Sequence, residues 1–165
     1  MRNEDLITYT KDFPKKGVNF IDFQHQLRHS MTDATQDLID LLSAKEIEEA
    51  DYILGVESRG FILASAMAVM LNKGFVMARK PGKLPPPVAK IDYETEYSTD
   101  SIEISPIEKG KKVIIVDDVL ATGGTLKAVN RLVEQMGVEV LTNLVIFNIE
   151  EINNFDNARA VRCIK

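Results

Sequence analysis

The chain has 165 residues, 45% of them hydrophobic and 27% charged, with a formal net charge of −5. That length suits one domain with a full core and is short for two, and an acidic balance without a Lys/Arg cluster argues against nucleic acid or an anionic membrane as partner. A single cysteine, Cys163, cannot form an internal disulfide and suits a reducing, cytoplasmic compartment. No signal peptide is expected, because no apolar stretch follows a basic region at the start. The longest apolar run, 61–71, is too short to span a bilayer.

Residues 13–23 are irregular and rich in aromatics. Residues 32–45 predict a helix that turns Leu38, Ile39, Leu41 and Leu42 inward and ends before Glu46, Glu48 and Glu49, which read as solvated surface. A strand is expected over 52–56 and a buried helix over 61–71; the latter is apolar on every side, more than one sheet face needs, and hints at a subunit interface. Between them, Gly55-Val56-Glu57-Ser58-Arg59-Gly60 is a strand-to-helix junction with two glycines and an arginine, a candidate anion site.

Residues 75–79 read as a strand, and Arg79-Lys80-Pro81-Gly82-Lys83-Leu84-Pro85 sets three cations on and just after its end. From 80 to 106 the strand–helix rhythm breaks. The stretch is long for a connection, so it is either a lid or a small antiparallel excursion, with 93–104 a candidate hairpin and Pro85-Pro86-Pro87 an extended surface loop. A strand over 113–116, a helix over 125–136 closed by Gly137 and a strand over 140–148 complete the pattern. Alternating strands and helices predict an α/β fold with a central, mostly parallel sheet flanked by helices.

The most informative segment is Val113-Ile114-Ile115-Val116-Asp117-Asp118-Val119-Leu120-Ala121-Thr122-Gly123-Gly124-Thr125. Its β-branched run suits a strand covered on both faces, and it passes through two carboxylates into a small-residue loop that opens a helix. The helix start offers unsatisfied N–H groups and the positive end of the helix dipole, which together suit a phosphate. Gly123 and Gly124 let the backbone curl around an anion, and Thr122 and Thr125 add hydroxyl donors. Asp117 and Asp118 repel that phosphate and need donors instead; the vicinal hydroxyls of a ribose, about one sugar ring from a 5′-phosphate, meet the need. The segment is neither a Walker A loop nor a Gly-x-Gly-x-x-Gly turn. A second anion site at Arg59 implies a ligand with two separated phosphate groups.

These residues resemble the 5-phosphoribosyl 1-pyrophosphate (PRPP) motif of the type I phosphoribosyltransferases. The basic loop resembles the Arg-Lys-x-Gly-Lys-Leu-Pro pattern of the adenine-specific members. Residues 12–22 look like the purine hood of that subfamily, and Glu96-Tyr97 looks like its catalytic flap. The resemblance implies the type I phosphoribosyltransferase fold in a single domain over 1–165, with a hood at about 12–23 and a flexible flap at about 80–106. It implies transfer of phosphoribose from PRPP to adenine, giving AMP and diphosphate in purine salvage, by a homodimer.

By resemblance, Asp117 and Asp118 hold the ribose hydroxyls and Ala121, Thr122, Gly123, Gly124 and Thr125 the 5′-phosphate. Glu57, Ser58, Arg59, Gly60, Lys80 and Lys83 meet the rest of PRPP, with Arg59 and the two lysines at the pyrophosphate. Phe20 stacks on adenine while Asn19 and Ile21 read its edge through backbone groups, and Glu96 and Tyr97 join Arg59 as catalytic residues. Mg2+ is the implied cofactor; since it keeps several waters and binds phosphate oxygens, no protein ligand is assigned to it.

Ile21 stands where the family usually has Arg, and Ser98 where Gly usually follows the flap Glu-Tyr. Two other readings stay open: a 6-oxopurine phosphoribosyltransferase, and a PRPP-sensing regulator on the same fold. The Phe20 hood and Glu-Tyr flap count against the first; the lack of a basic face or an added DNA-binding segment counts against the second.

Overall fold

The computed structural model of the chain describes residues 8–13, 16–17, 20–94 and 99–164. Its centre is a seven-stranded sheet in the order β5-β6-β4-β3-β7-β8-β9. Strands β3 (Tyr52–Val56), β4 (Gly74–Arg79), β7 (Lys112–Leu120), β8 (Glu139–Ile149) and β9 (Arg159–Ile164) run parallel to their neighbours in that set. A hairpin of β5 (Ala89–Glu94) and β6 (Thr99–Ile104) adds to the β4 edge antiparallel, through Ala78 opposite Ile104. The break in rhythm after residue 80 is thus an antiparallel excursion. It starts four residues before the expected hairpin, because Ala89 and Ile91 pack on the same core as β6.

Val113, Ile114, Ile115 and Val116 are fully buried, as a strand with a layer on each face requires. One layer joins α1 (Gln24–Ile39) and α3 (Arg59–Leu71) to the sheet through Phe23, Leu38, Leu63, Met67 and Phe147. The opposite layer joins α4 (Gly124–Gln135) and the hairpin through Leu54, Ile104, Leu126, Val129 and Val133. The apolar stripe of α4 explains its place: Leu126, Val129, Leu132 and Val133 recur at helical spacing and are all buried. Gly137, at φ +74, ends that helix, as the sequence predicts.

Several elements differ from the sequence reading. The helix expected over 32–45 starts earlier, bends at Ser30 and stops at Ile39. A second helix, α2 (Ala44–Glu49), follows, because Ser43 and Glu46 form a capping box that starts a new helix. Glu46 is therefore not plain solvated surface. It also binds Arg159 of β9 through two hydrogen bonds of 3.0 and 2.8 Å, and this pair fastens α2 to the far edge of the sheet. Strand β9 itself and the small hairpin of β1 (Thr8–Thr10) with β2 (Phe20–Asp22) are not apparent in the hydrophobic pattern, being short and mixed in polarity.

Candidate functional site

The central strands β3 and β7 are adjacent and parallel, with Gly55 opposite Val116. Their C-terminal ends therefore open at one edge of the sheet, where open α/β sheets hold their ligands. The two junctions found in the sequence meet there. Gly60 makes the meeting close: a Cβ at that position would lie 2.7 Å from the Val116 carbonyl oxygen and 3.1 Å from Oδ1 of Asp117.

Strand β7 continues past the expected end at Val116 through both carboxylates to Leu120, with Asp117 opposite Val145 on β8. Asp118 is buried, and its backbone N–H donates to Oδ1 of Asp117 at 2.8 Å. Nε of Arg59 lies 2.6 Å from Oδ2 of Asp118, an ion pair without hydrogen-bond alignment. Oδ2 is thus a buried acceptor that receives no hydrogen bond from the described residues. Burial, and then the charge and hydrogen bonding of Asp118, push the Asp117 carboxyl well above the usual carboxylate range, against the pull of Arg59. Two adjacent carboxyl groups at a strand end offer acceptors at the spacing of a vicinal diol.

The small-residue loop is three residues long before α4 begins. Gly123 occupies the cap position at φ +85, a left-handed conformation that glycine adopts at little cost, and having no side chain it cannot itself cap the helix. The first N–H groups of α4 are thereby left for a ligand. Two neighbours brace the loop. Tyr93 of β5 and Thr125 share a hydrogen bond of 3.3 Å between their hydroxyls, and Lys127 donates to Oδ1 of Asn154 at 2.7 Å.

At the end of β3 the Glu57–Ser58 peptide is cis, and α3 starts at Arg59. The Glu57 carboxylate accepts from the Lys80 backbone N–H at 2.8 Å and from Nε of Arg79 at 3.4 Å. Burial pushes the Glu57 carboxyl up, but those two hydrogen bonds and the cationic charges prevail and hold it below its ordinary value. The buried Glu103 of β6 accepts from the Gly82 N–H at 2.9 Å, and Arg79 donates to the Lys83 carbonyl at 3.3 Å. The basic loop is fastened by its backbone, while the side chains of Lys80 and Lys83 are exposed. Glu57 touches the loop, a positioning contact that its expected place at PRPP does not include.

Across the opening lies the aromatic segment. The Arg59 guanidinium stands 4.8 Å from the Phe20 ring centre and donates to the Ile21 carbonyl at 3.0 Å. Phe13 meets Phe20 edge-on at 5.2 Å, and the buried Phe23 ties the segment to Phe147 of β8 at 5.9 Å. Arg59 therefore joins the carboxylate pair to Phe20 and Ile21. In this structure it covers the same ring and carbonyl that the resemblance assigns to adenine.

The structure brings together Arg59, Gly60, Asp117, Asp118, Phe20 and Ile21, with Ala121, Thr122, Gly123, Gly124 and Thr125 starting two residues beyond the acids. Asn19, Glu96 and Tyr97 lie outside the described residues. Sequence reasoning missed Tyr93, Glu103 and Asn154 as braces. Tyr93 and Glu103 carry a weak signal as a bulky polar and a charged residue within strand-like runs, and Asn154 carries none.

The phosphoribosyl transferase domain model matches residues 29–165. The adenine phosphoribosyltransferase of Hydrogenovibrio crunogenus is 45% identical over 161 residues, covering 95% of this chain and 92% of that protein. The crystal structure of the Thermoanaerobacter pseudethanolicus adenine phosphoribosyltransferase superposes with a TM-score of 0.85 at 35% identity, covering 96% of each chain. That of the Saccharomyces cerevisiae enzyme, complexed with adenine and an imino-altritol bisphosphate, does so with a TM-score of 0.80 at 37% identity, covering 89% of this chain and 86% of that one. The fold, the carboxylate and small-residue junction and these relatives agree: the chain belongs to the phosphoribosyl transferase family, among its adenine phosphoribosyltransferases.

Proposed function

We propose that this chain converts adenine and PRPP to AMP and diphosphate, at the junction of β3 and β7. The observation that carries the reading is the buried Asp118 Oδ2, an acceptor that receives no hydrogen bond from the described residues, on the strand that leads through a three-residue loop into a helix with glycine at its cap. A ribose 5-phosphate answers both, with hydroxyls for Asp117 and Asp118 and a phosphate for residues 121–125.

In the reaction the bond from C1′ to the diphosphate oxygen breaks and a bond from adenine N9 to C1′ forms. Positive charge grows on the ribose and negative charge leaves with the diphosphate. The carboxylates beneath the ribose favour the first change, and Arg59, Lys80 and Lys83 the second. Ribose hydroxyls compete with Arg59 for Asp118. When they prevail, the guanidinium is released toward the diphosphate, and the Phe20 ring and Ile21 carbonyl are uncovered for adenine. The N9 proton goes to a base, and Glu96 is the candidate.

Among the described residues no three His, Cys, Asp or Glu side chains gather as a metal-binding group. Mg2+ keeps several waters and favours phosphate oxygens, so PRPP itself would hold it and no protein ligand is assigned. When bound, Mg2+ supplies charge neutralisation at the leaving diphosphate. In the same reading residues 12–23 and 80–106 are hood and flap of one domain over 1–165. The apolar face of Ile62, Val69, Met70, Phe75 and Met77 supports a homodimer. A single cysteine fits a cytoplasmic setting, and no helix among the described residues is long and apolar enough to cross a membrane.

The test is AMP formation from adenine and PRPP with Mg2+, beside hypoxanthine and guanine. Turnover of adenine is expected. Turnover of a 6-oxopurine alone would reassign the base, and binding of PRPP without turnover of any base would make the chain a sensor.

A further inference from the structure

One buried polar group has no part in the chemistry above. Asn143 lies in the middle of β8, is fully buried and is followed by the apolar run Leu144 to Phe147. Packing alone calls for an apolar residue at such a site, and a buried amide persists only where its hydrogen bonds are met. Its Oδ1 accepts from Nδ2 of Asn130 on α4 at 2.7 Å, and its Nδ2 donates to Oδ1 of Asn130 at 3.2 Å and to the Asn157 carbonyl at 2.9 Å. Nδ2 of Asn130 also donates to the Leu126 carbonyl, in the first turn of α4, at 2.7 Å.

The Asn157 carbonyl belongs to the connection between β8 and β9. Residues 153–157 of that connection press on the small-residue loop. A Cβ on Gly123 would lie 2.5 Å from Cβ of Phe155, and Asn154 accepts from Lys127. The Phe155 N–H donates to Oδ1 of Asn153 at 2.7 Å, which fixes the local turn. Asn143 thus bonds one segment that touches the loop and, through Asn130, the helix that the loop opens.

We infer that Asn143 is a positioning residue for the 5′-phosphate of PRPP: it holds residues 153–157 against Gly123 and so sets the curvature of the loop that receives the phosphate. The inference rests on the reading of residues 121–125 as the phosphate loop. The side chain itself touches no substrate. Its effect falls on the affinity for the phosphorylated ribose and spares adenine, whose expected contacts are on the other side of β7.

The experiment measures kcat, KM for PRPP, KM for adenine and the unfolding midpoint for the unaltered chain, Asn143→Leu and Asn130→Leu. Asn143→Leu is expected to raise KM for PRPP about tenfold, the worth of one ordinary hydrogen bond, with KM for adenine within about twofold. Asn130→Leu leaves the bond from Asn143 to Asn157 in place, so it should lower the unfolding midpoint while KM for PRPP stays within about twofold. Phe155→Ala, on a partly exposed connection, tests the same contact without touching the buried pair and should raise KM for PRPP several-fold. If KM for PRPP follows the loss of stability equally in both Asn variants, or stays unmoved in Asn143→Leu and Phe155→Ala, the role is merely structural and the inference is overturned. Failure of the unaltered chain to form AMP would instead overturn the proposed activity.

Discussion

Gly60→Ala tests how the two halves of the site are held together. The residue lies in the first turn of α3, so alanine suits its backbone and adds about 1 kcal/mol of helix propensity. The new methyl meets the Val116 carbonyl oxygen at 2.7 Å, where ordinary contact begins at 3.4 Å, so about 0.7 Å of room is missing (3.4 − 2.7). The obstacle is backbone in a buried central strand, so α3 must move. Overpacking of this kind costs about 1–3 kcal/mol, and after the propensity gain a net loss of about 0–2 kcal/mol remains. Function suffers more than stability. Arg59 adjoins Gly60 and pairs with Asp118 at 2.6 Å, and a misplacement approaching an ångström costs on the order of tenfold to a hundredfold in rate. Steady-state kcat/KM for PRPP with thermal unfolding of the same sample provides the check. Wild-type kcat/KM in a folded Gly60→Ala variant would refute the claim that this close approach sets the geometry of the site.

Asp117→Asn should reduce kcat/KM by about a hundredfold or more, as loss of a group aimed at developing charge does. It should also keep or raise the unfolding midpoint at pH 7: a carboxyl whose folded pKa is raised by burial opposes folding once the solution pH passes its unfolded value, and the amide removes that cost. A fall in the midpoint would count against it. Glu46 gives the opposite sign. The Arg159 hydrogen bond first, with the Ser43 cap, outweighs burial and holds its carboxyl at about 2 against an ordinary 4.5. Its stabilisation is whole above pH 4.5 or so and is lost as pH falls toward 2. Since the Arg159 side chain is 46% exposed, screening limits the worth to about 1 kcal/mol. Urea titrations of Glu46→Gln and the unaltered chain should differ at pH 7 and converge at the acid end. If the proposed homodimer forms through α3, the unaltered chain should sediment as a dimer and Val69→Glu, at a residue 82% exposed, as a folded monomer in analytical ultracentrifugation; a dimer that persists in the variant would refute that interface, and a monomeric unaltered chain the dimer itself.

Much of the fold was legible because hydrophobic period and chain punctuation are local. The run Val113 to Val116, the stripe of α4 and the stop at Gly137 are each specified within about a dozen residues. The acid pair and the Gly123 turn were legible for the same reason, since strand end, loop and helix start are contiguous in sequence. The capping box at Ser43 was as local, but the apolar Leu41 and Leu42 ahead of it prolong the helical pattern and hid it. Strand β9 was not legible: its residues alternate weakly, and it is a strand because β8 offers it an open edge.

The sequence by itself determined that two adjacent acids, Asp117 and Asp118, stand between a buried strand and a small-residue loop that opens a helix, and that Arg59, Lys80 and Lys83 follow two other strands; the place proposed for a phosphorylated ribose starts from that pattern. Only the tertiary structure decided how these parts act on one another. Arg59 reaches across 59 positions to Asp118 and back to Ile21; Glu57, just after β3, and Glu103 of β6 fasten the basic loop from two sides of the sequence; and Asn143 holds the connection after β8 against Gly123. Local pattern reports which groups the backbone presents. Burial and charge pairing between elements far apart in the chain fix where those groups stand, and that information exists only once the sheet has brought the strand ends together.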